Sequence, residues 1–361
     1  MRYLIFLILS LSSLSVEVQS LTYESLTNEM DEQEIIETGL YKLSEDEQKN
    51  LDAWIRYQCG SHFLTLPKVT NGTDQTSYLT TTKQLPNGLP SNDKWTLALV
   101  AVFQNEAPYL REFIEFHKRV GVEHFFLYDN LSTDNFYSEI EDFIDNGEVE
   151  LIEWPVINFV KGQCSCYTDA VYRCKGKADW LIFADTDLFF FPVNEDRLQD
   201  LLQQYNHPKI GGVTVNLLFF GTSGVEKLNK GERVTQLLTK CSGTIDKHVR
   251  CIVRPERVET VNNPHFVKYY PQYFAVDENL QRNEGPFNER RPCKKIRANH
   301  YALRTLDFLK REYGVRHARF CAEKAGKPLP IETPPEIWDK LMQLDASLST
   351  SEDYLIQKFI F

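Results

Sequence analysis

Beyond its first twenty residues the chain has no apolar run long enough to cross a bilayer. The most apolar one, Trp180–Pro192, is interrupted by Asp185 and Asp187, whereas a spanning helix needs about 20 predominantly apolar residues. A surplus of basic charge is also lacking. Lys and Arg number 40 against 51 Asp and Glu, a formal charge of -11, so broad nucleic-acid binding by counterion release is not expected and any anion site has to be local. Cys164 and Cys166 resemble half of a metal knuckle, but no second pair follows at zinc-like spacing. No internal repeat occurs, which sets solenoids and propellers aside.

What the chain does have is a hydrophobic share of 42% and a charged share of 25% over 361 residues. That is enough apolar material for a real core, and it excludes a disordered tail protein. The acidity is local. Residues 21–50 hold nine acids against Lys42 and Lys49, a balance of -7, so the stretch from Leu51 onward carries only -4.

Arg2 precedes an apolar stretch from Tyr3 to about Val16, followed by Val18 and Ser20 at the small-residue positions of a cleavage site. Residues 1–20 therefore read as a signal peptide, with an uncleaved signal anchor, and so a membrane tie, as the alternative. Eight cysteines form an even set, and in an exported chain they are expected to pair, in a connectivity the sequence does not fix. Asn71-Gly-Thr and Asn130-Leu-Ser fit the glycosylation acceptor pattern. The expected location is the secretory pathway, in the ER or Golgi lumen, or outside the cell.

Residues 21–94 read as an acidic lead-in closed by the turn-rich Pro86-Asn87-Gly88-Leu89-Pro90. From Trp95 the pattern sharpens. TLALVAVF is a strand, Ala107–Gly121 a helix, HFFLYDN a strand, and STDNFYSEIEDFIDNG a helix that Ser132 or Thr133 starts and Gly147 stops. VELIEWP is a third strand and WLIFADTDLFFFP a fourth, preceded by a helix over Ser165–Lys177. A helix over Glu195–Tyr205 leads to a fifth strand, IGGVTVNLLFFG. Strands separated by helices predict an α/β fold, a mainly parallel twisted sheet with helices on both faces. The expected organisation is one main domain over 95–330 and a C-terminal helical tail over 331–361.

In such sheets ligands bind at the carboxyl ends of the strands. There the first strand delivers Glu106, the second Asp129 and Asn130, and the fourth Asp185 and Asp187. Glu106 and Asp129 are as readily explained as turn or helix-cap residues. Asp185 and Asp187 are different, because they interrupt an apolar run and would repel each other unless a cation or a proton intervened. A divalent metal answers that repulsion most simply.

The succession VAVFQNEAPYLREFIEFHKRVGVEHFFLYDN, ADWLIFADTDLFFFP, FFGTSG, VRPERV with NPHF, and NHYALRTLDFL resembles glycosyltransferases of the GT-A fold, family 92 and related family 2-like enzymes. It spans about residues 95–315, with Thr305 where the last block usually has serine. The resemblance implies transfer of a hexose, galactose first, from a nucleotide-diphosphate sugar, with a UDP-linked donor as the expectation, to a glycan or glycoprotein acceptor with inversion. It implies Mn²⁺ or Mg²⁺ on Asp187 as direct ligand, Asp185 near the ribose or the metal's water, and Glu106 and Asp129 on the base and ribose. His300 becomes a third metal or diphosphate contact, with His265 competing. Lys295 and Arg297, within a basic stretch, are expected to close over the diphosphate as a lid. A base on a segment after the fifth strand comes from Asp277, Glu278 or Glu226. Two other classes stay open: an inactive binder of glycans or nucleotide sugars with the same fold, and a phosphatase of the haloacid dehalogenase type, whose motif also ends a strand in DxD.

Overall fold

A computed structural model describes residues 94–155, 159–324 and 330–360. The signal segment, nearly all of the acidic lead-in, Asn71 and Cys59 lie outside the described residues. The chain runs β1 (Trp95–Phe103), α1 (Ala107–Arg119), β2 (His124–Asp129), α2 (Phe136–Asp145), β3 (Val149–Glu153), α3 (Phe159–Cys174), β4 (Ala178–Ala184), β5 (Leu188–Pro192), α4 (Leu198–Leu202) and β6 (Ile210–Phe219). It continues through β7 (Lys240–Cys241), β8 (Val249–Val253), β9 (Val258–Thr260), β10 (Lys268–Tyr269), β11 (Phe274–Val276), β12 (Arg282–Asn283), β13 (Ile296–His300) and, after further helices that include Pro335–Ser347, β14 (Ser351–Glu352).

The central sheet has the order β12-β11-β6-β8-β4-β1-β2-β3, with β13 joined to β6 and to β5. The expected parallel run is present: β4, β1, β2 and β3 are parallel, as are β11 and β13 to β6. The sheet is nevertheless mixed. β8 runs antiparallel between β4 and β6. The apolar run expected as one fourth strand is two strands, because Asp185-Thr186-Asp187 turns the chain out of β4 and lets β5 pair antiparallel with β13.

Both faces of the sheet are buried, which is why its strands read as unbroken apolar runs. Leu97, Leu99, Ala101 and Phe103 of β1 face a core shared with α1, while Ala98, Val100 and Val102 face a second core shared with α3. In α1 the residues Leu110, Phe113 and Ile114 are fully buried, each contributing roughly 1.5–3 kcal/mol relative to exposure. Pro108 sits in its first turn, and the Asp134 carboxylate accepts from the Ala107 N–H at 2.8 Å, so a neighbouring loop satisfies a helix-start donor. His117, Lys118 and Arg119 occupy its last turn, where positive charge suits the helix dipole, and Gly121 leaves it at φ 108°.

The expected cysteine pairing is not found. Seven cysteines are described, and no disulfide joins any two of them. Burial pushes several up, those of Cys164 and Cys251 to about 12, so they behave as small apolar side chains. Asn130 is only 4% exposed, a position with no room for a glycan. No helix among the described residues is long and apolar enough to cross a membrane.

Candidate active site

Because β8 is antiparallel to both its neighbours, β1, β2, β4, β6 and β13 all end at one rim, and β8 begins there. The rim collects the polar residues. β13 pairs with β5 so that His300 stands opposite Leu188, directly after the Asp185-Thr186-Asp187 turn. That register brings Asp185, Asp187 and His300 together, with one ligand atom from each lying within 4.8 Å of the others, all three buried.

The two aspartates are held differently. One oxygen of Asp185 accepts from the Gln163 side-chain amide on α3 and lies 3.4 Å from the Tyr167 hydroxyl; the other pairs with the buried Arg250 guanidinium at the start of β8. Asp187 Oδ1 lies 3.3 Å from His300 Nε2, yet neither that oxygen nor either His300 ring nitrogen makes a hydrogen bond of good geometry. Buried polar atoms are rarely left so. Burial pushes the Asp187 carboxyl up, but the His300 ring and the Arg304 guanidinium outweigh it and hold the group well below the usual carboxylate range. It is therefore an anion at neutral pH, whose Oδ1 has beside it only the poorly aligned His300 ring.

Glu106, at the end of β1, is 4% exposed, and Arg304 Nη2 donates to it at 2.8 Å. Burial raises its pKa despite that guanidinium. Arg304 itself lies 4.0 Å over the Tyr109 ring, 3.5 Å from the Thr186 hydroxyl, and has a backbone φ of 54°, uncommon for a residue with a side chain. Strained positions of this kind cluster at functional sites. Asp129 accepts from the Ser132 N–H at 3.0 Å, and the Asn130 carbonyl from the Gln104 amide at 2.7 Å, so the first two strand ends are laced together.

The repulsion expected between Asp185 and Asp187 is thus met partly by the protein. Asp185 has Arg250 and Glu106 has Arg304, and sequence reasoning weighed neither arginine. Arg250 had a signal, being the one charge in the apolar strand VRCIV. Gln163 had none. Leaving the imidazole aside, the three carboxylates Glu106, Asp185 and Asp187 against the guanidiniums of Arg250 and Arg304 leave a charge of -1 in this buried group. Its carboxylate oxygens suit Mn²⁺ or Mg²⁺, and the imidazole beside them favours the transition-metal ion of the two.

Other expected residues lie elsewhere. His265 directs Nδ1 to the Val249 carbonyl at 3.0 Å and is outside the metal-capable group; burial, then Arg250 and His248, hold its pKa well below the usual value. Arg297 is turned away from His300: Ile296–His300 is a buried strand whose alternation puts the two on opposite faces, and Arg297 pairs with Asp353 at 3.0 Å. Lys295 precedes that strand, its N–H donating to Glu278 at 2.8 Å. Asp277 is fully buried, one oxygen accepting from the Asn279 and Gln281 N–H groups and the other from Asn288 and Arg290. Glu278 accepts from the N–H groups of Lys294, Lys295 and Ile296. Both carboxylates organise loops. Glu226 is exposed.

Residues 99–304 match the family described as glycosyltransferase family 92. The chain belongs to family 92. Its similar relatives include a family 92 protein of Oryza sativa subsp. japonica, 28% identical over 248 residues, covering 66% of this chain and 39% of that protein. Another, from Arabidopsis thaliana, is 30% identical over 176 residues, 46% of this chain and 30% of that one. The chain thus spans about two-fifths or less of the curated relatives it matches. Among solved structures it is similar to S. aureus TarS 1-349, at 11% identity and TM-score 0.29 over 69% of this chain and 70% of that one. A second is the glucosyl-3-phosphoglycerate synthase of Mycobacterium tuberculosis in complex with Mn²⁺ and UDP-glucose, at 13% identity and TM-score 0.29 over 65% of this chain and 80% of that one. Family membership retires the haloacid dehalogenase reading, and the geometry agrees: that chemistry needs an available aspartate nucleophile, whereas Asp185 is engaged on both oxygens.

Proposed function

We propose that this family 92 chain is a metal-dependent hexosyltransferase, moving a sugar from a UDP-linked donor to a glycan or glycoprotein acceptor with inversion, galactose being the first donor to test. The observation that carries the reading is the pair of buried, hydrogen-bond-poor ligand groups, Asp187 Oδ1 and the His300 imidazole, beside Asp185 at the carboxyl rim of the sheet. Asp187 and His300 hold Mn²⁺ or Mg²⁺, with Asp185 kept in place by Gln163 and Arg250. When bound, the ion neutralises the diphosphate leaving group as the glycosidic bond breaks.

The chain's own part is positioning. Glu106 and Asp129, on adjacent strand ends, accept hydrogen bonds from the nucleoside, and the Glu106–Arg304 pair fixes the first of these carboxylates without leaving it uncompensated. The N-terminal signal-like segment supports action in the secretory pathway. The test is a panel of UDP-sugars with Mn²⁺, scored by thermal stabilisation and UDP release. Stabilisation and turnover that require both metal and nucleotide support the enzyme; a chain that no member stabilises is instead the inactive binder.

A further inference from the structure

Two of the three expected bases, Asp277 and Glu278, spend their oxygens on their own loops and do not suit an inverting transfer. A different group stands at the rim. In the segment entering β8, His248 Nδ1 lies 2.6 Å from Asp246 Oδ1, the Asp246 side chain is 3% exposed and that of His248 13% exposed. Asp246 is fixed by its own N–H donating to the Leu217 carbonyl and by its carbonyl accepting from the Asn216 amide. Its Oδ1 also accepts from the His248 N–H at 2.8 Å, while its second oxygen, Oδ2, is buried without a hydrogen-bond partner, so the turn uses only one of the two oxygens.

We propose that His248 is the general base of the transfer and Asp246 the residue that positions it; this rests on the glycosyltransferase reading above. Strand alternation places His248 and Arg250 on the same face. The Arg250 guanidinium holds Asp185, so His248 stands one residue pair farther out along that face, about 7 Å on. A carboxylate only accepts, so Nδ1 carries the proton and Nε2 the lone pair. Nε2 takes the acceptor hydroxyl proton as the acceptor oxygen bonds to the sugar carbon. The bond from that carbon to the diphosphate breaks, and its electron pair leaves on UDP. The imidazolium, stabilised by Asp246, returns its proton to solvent. The other charged or titratable groups around the ring are Lys247 on the same segment, Arg250 on β8, His265 at 5.5 Å between ring centroids, and Glu289, which pairs with Lys247. Phe287, 4.7 Å away, supplies an apolar wall.

The test follows UDP release, with water as acceptor, from whichever UDP-sugar of the panel the wild type turns over with Mn²⁺. His248→Ala should lower that rate by about 10²–10⁴-fold, leave Mn²⁺-dependent UDP binding within about twofold, and recover activity in added imidazole. His248→Gln carries the test if the alanine variant does not fold. Asp246→Asn should lower kcat with the donor KM unchanged, and Asp246→Glu should restore part of it. A His248 variant at the wild-type rate overturns the assignment. So does a rate lost together with UDP binding and not restored by imidazole, which would make the dyad structural. A wild type that turns over no donor overturns the function reading and this inference with it.

Discussion

Arg250→Met is the perturbation that reports most about the site. The arginine is 2% exposed, its Nη2 paired with Asp185 and its Nη1 donating to the Pro264 carbonyl at 2.9 Å. Removing one partner of a buried pair costs about 3–5 kcal/mol, because the other charge is left uncompensated. At about 2–4 °C per kcal/mol for a domain of this size, the midpoint should fall by roughly 6–20 °C. Adding Asp185→Asn should return most of the loss, since the stranded charge goes with it. Metal should move the other way. The substitution takes the buried charge from -1 to -2, so Mn²⁺ binds more tightly, and a concentration near 100 times its dissociation constant adds about 2.7 kcal/mol. Differential scanning fluorimetry with and without Mn²⁺ reads both arms. A loss under about 1 kcal/mol, or a smaller Mn²⁺ shift than in wild type, would show that Arg250 does not balance Asp185.

Asp187→Asn should weaken Mn²⁺ binding by more than about 100-fold, beyond the loss typical of outer partners, and abolish metal-dependent UDP stabilisation, as calorimetry would record. Arg297→Met should destabilise the fold by about 1–3 kcal/mol through the Asp353 carboxylate it strands, yet leave UDP affinity unchanged; weakened UDP binding would revive the lid. His117 is buried with its pKa lowered to about 3, by burial foremost, Nδ1 on the Phe113 carbonyl and Nε2 accepting from the Phe190 N–H. Its folded pKa lies below the unfolded value near 6.5, so the unfolded chain binds the extra proton between them. Stability from this group is therefore full above pH ~6.5 and falls toward pH 3, by about 3 kcal/mol at pH 4. Urea midpoints of wild type and His117→Gln across that range should diverge upward with pH, and parallel curves would refute the assignment.

Much of the rim was legible because strand ends announce themselves: apolar runs stop at Glu106, Asp129 and Asp185, and the 3.6-residue pattern of α1 is unbroken. The ladder partners were not. Nothing local says that VRCIV enters between β4 and β6 with reversed direction, and on that reversal depends the meeting of Arg250 with Asp185. The basic stretch before His300 suggests a lid over the diphosphate only when charge density is taken without alternation; in the buried strand the two side chains go to separate faces, Arg297 to Asp353 and His300 to Asp187. The cysteine expectation failed for another reason. An even count says nothing about distance, and thiols such as Cys166 and Cys251 are spread through the apolar layers against the sheet.

The Glu106–Arg304 bridge joins residues 198 positions apart. On a ribosome adding about 5–20 residues per second, the glutamate waits roughly 10–40 s for its arginine. During that interval β13 does not exist either, so the turn bearing Asp187 has no strand to set its register, and β5, five residues of nearly pure phenylalanine and leucine, has an open edge. A nascent chain in this state presents Leu188–Pro192 to any strand it meets. Its biogenesis therefore depends on shielding that edge until Ile296–His300 arrives, and slowing translation between residues 192 and 300 should raise aggregation without altering the finished protein.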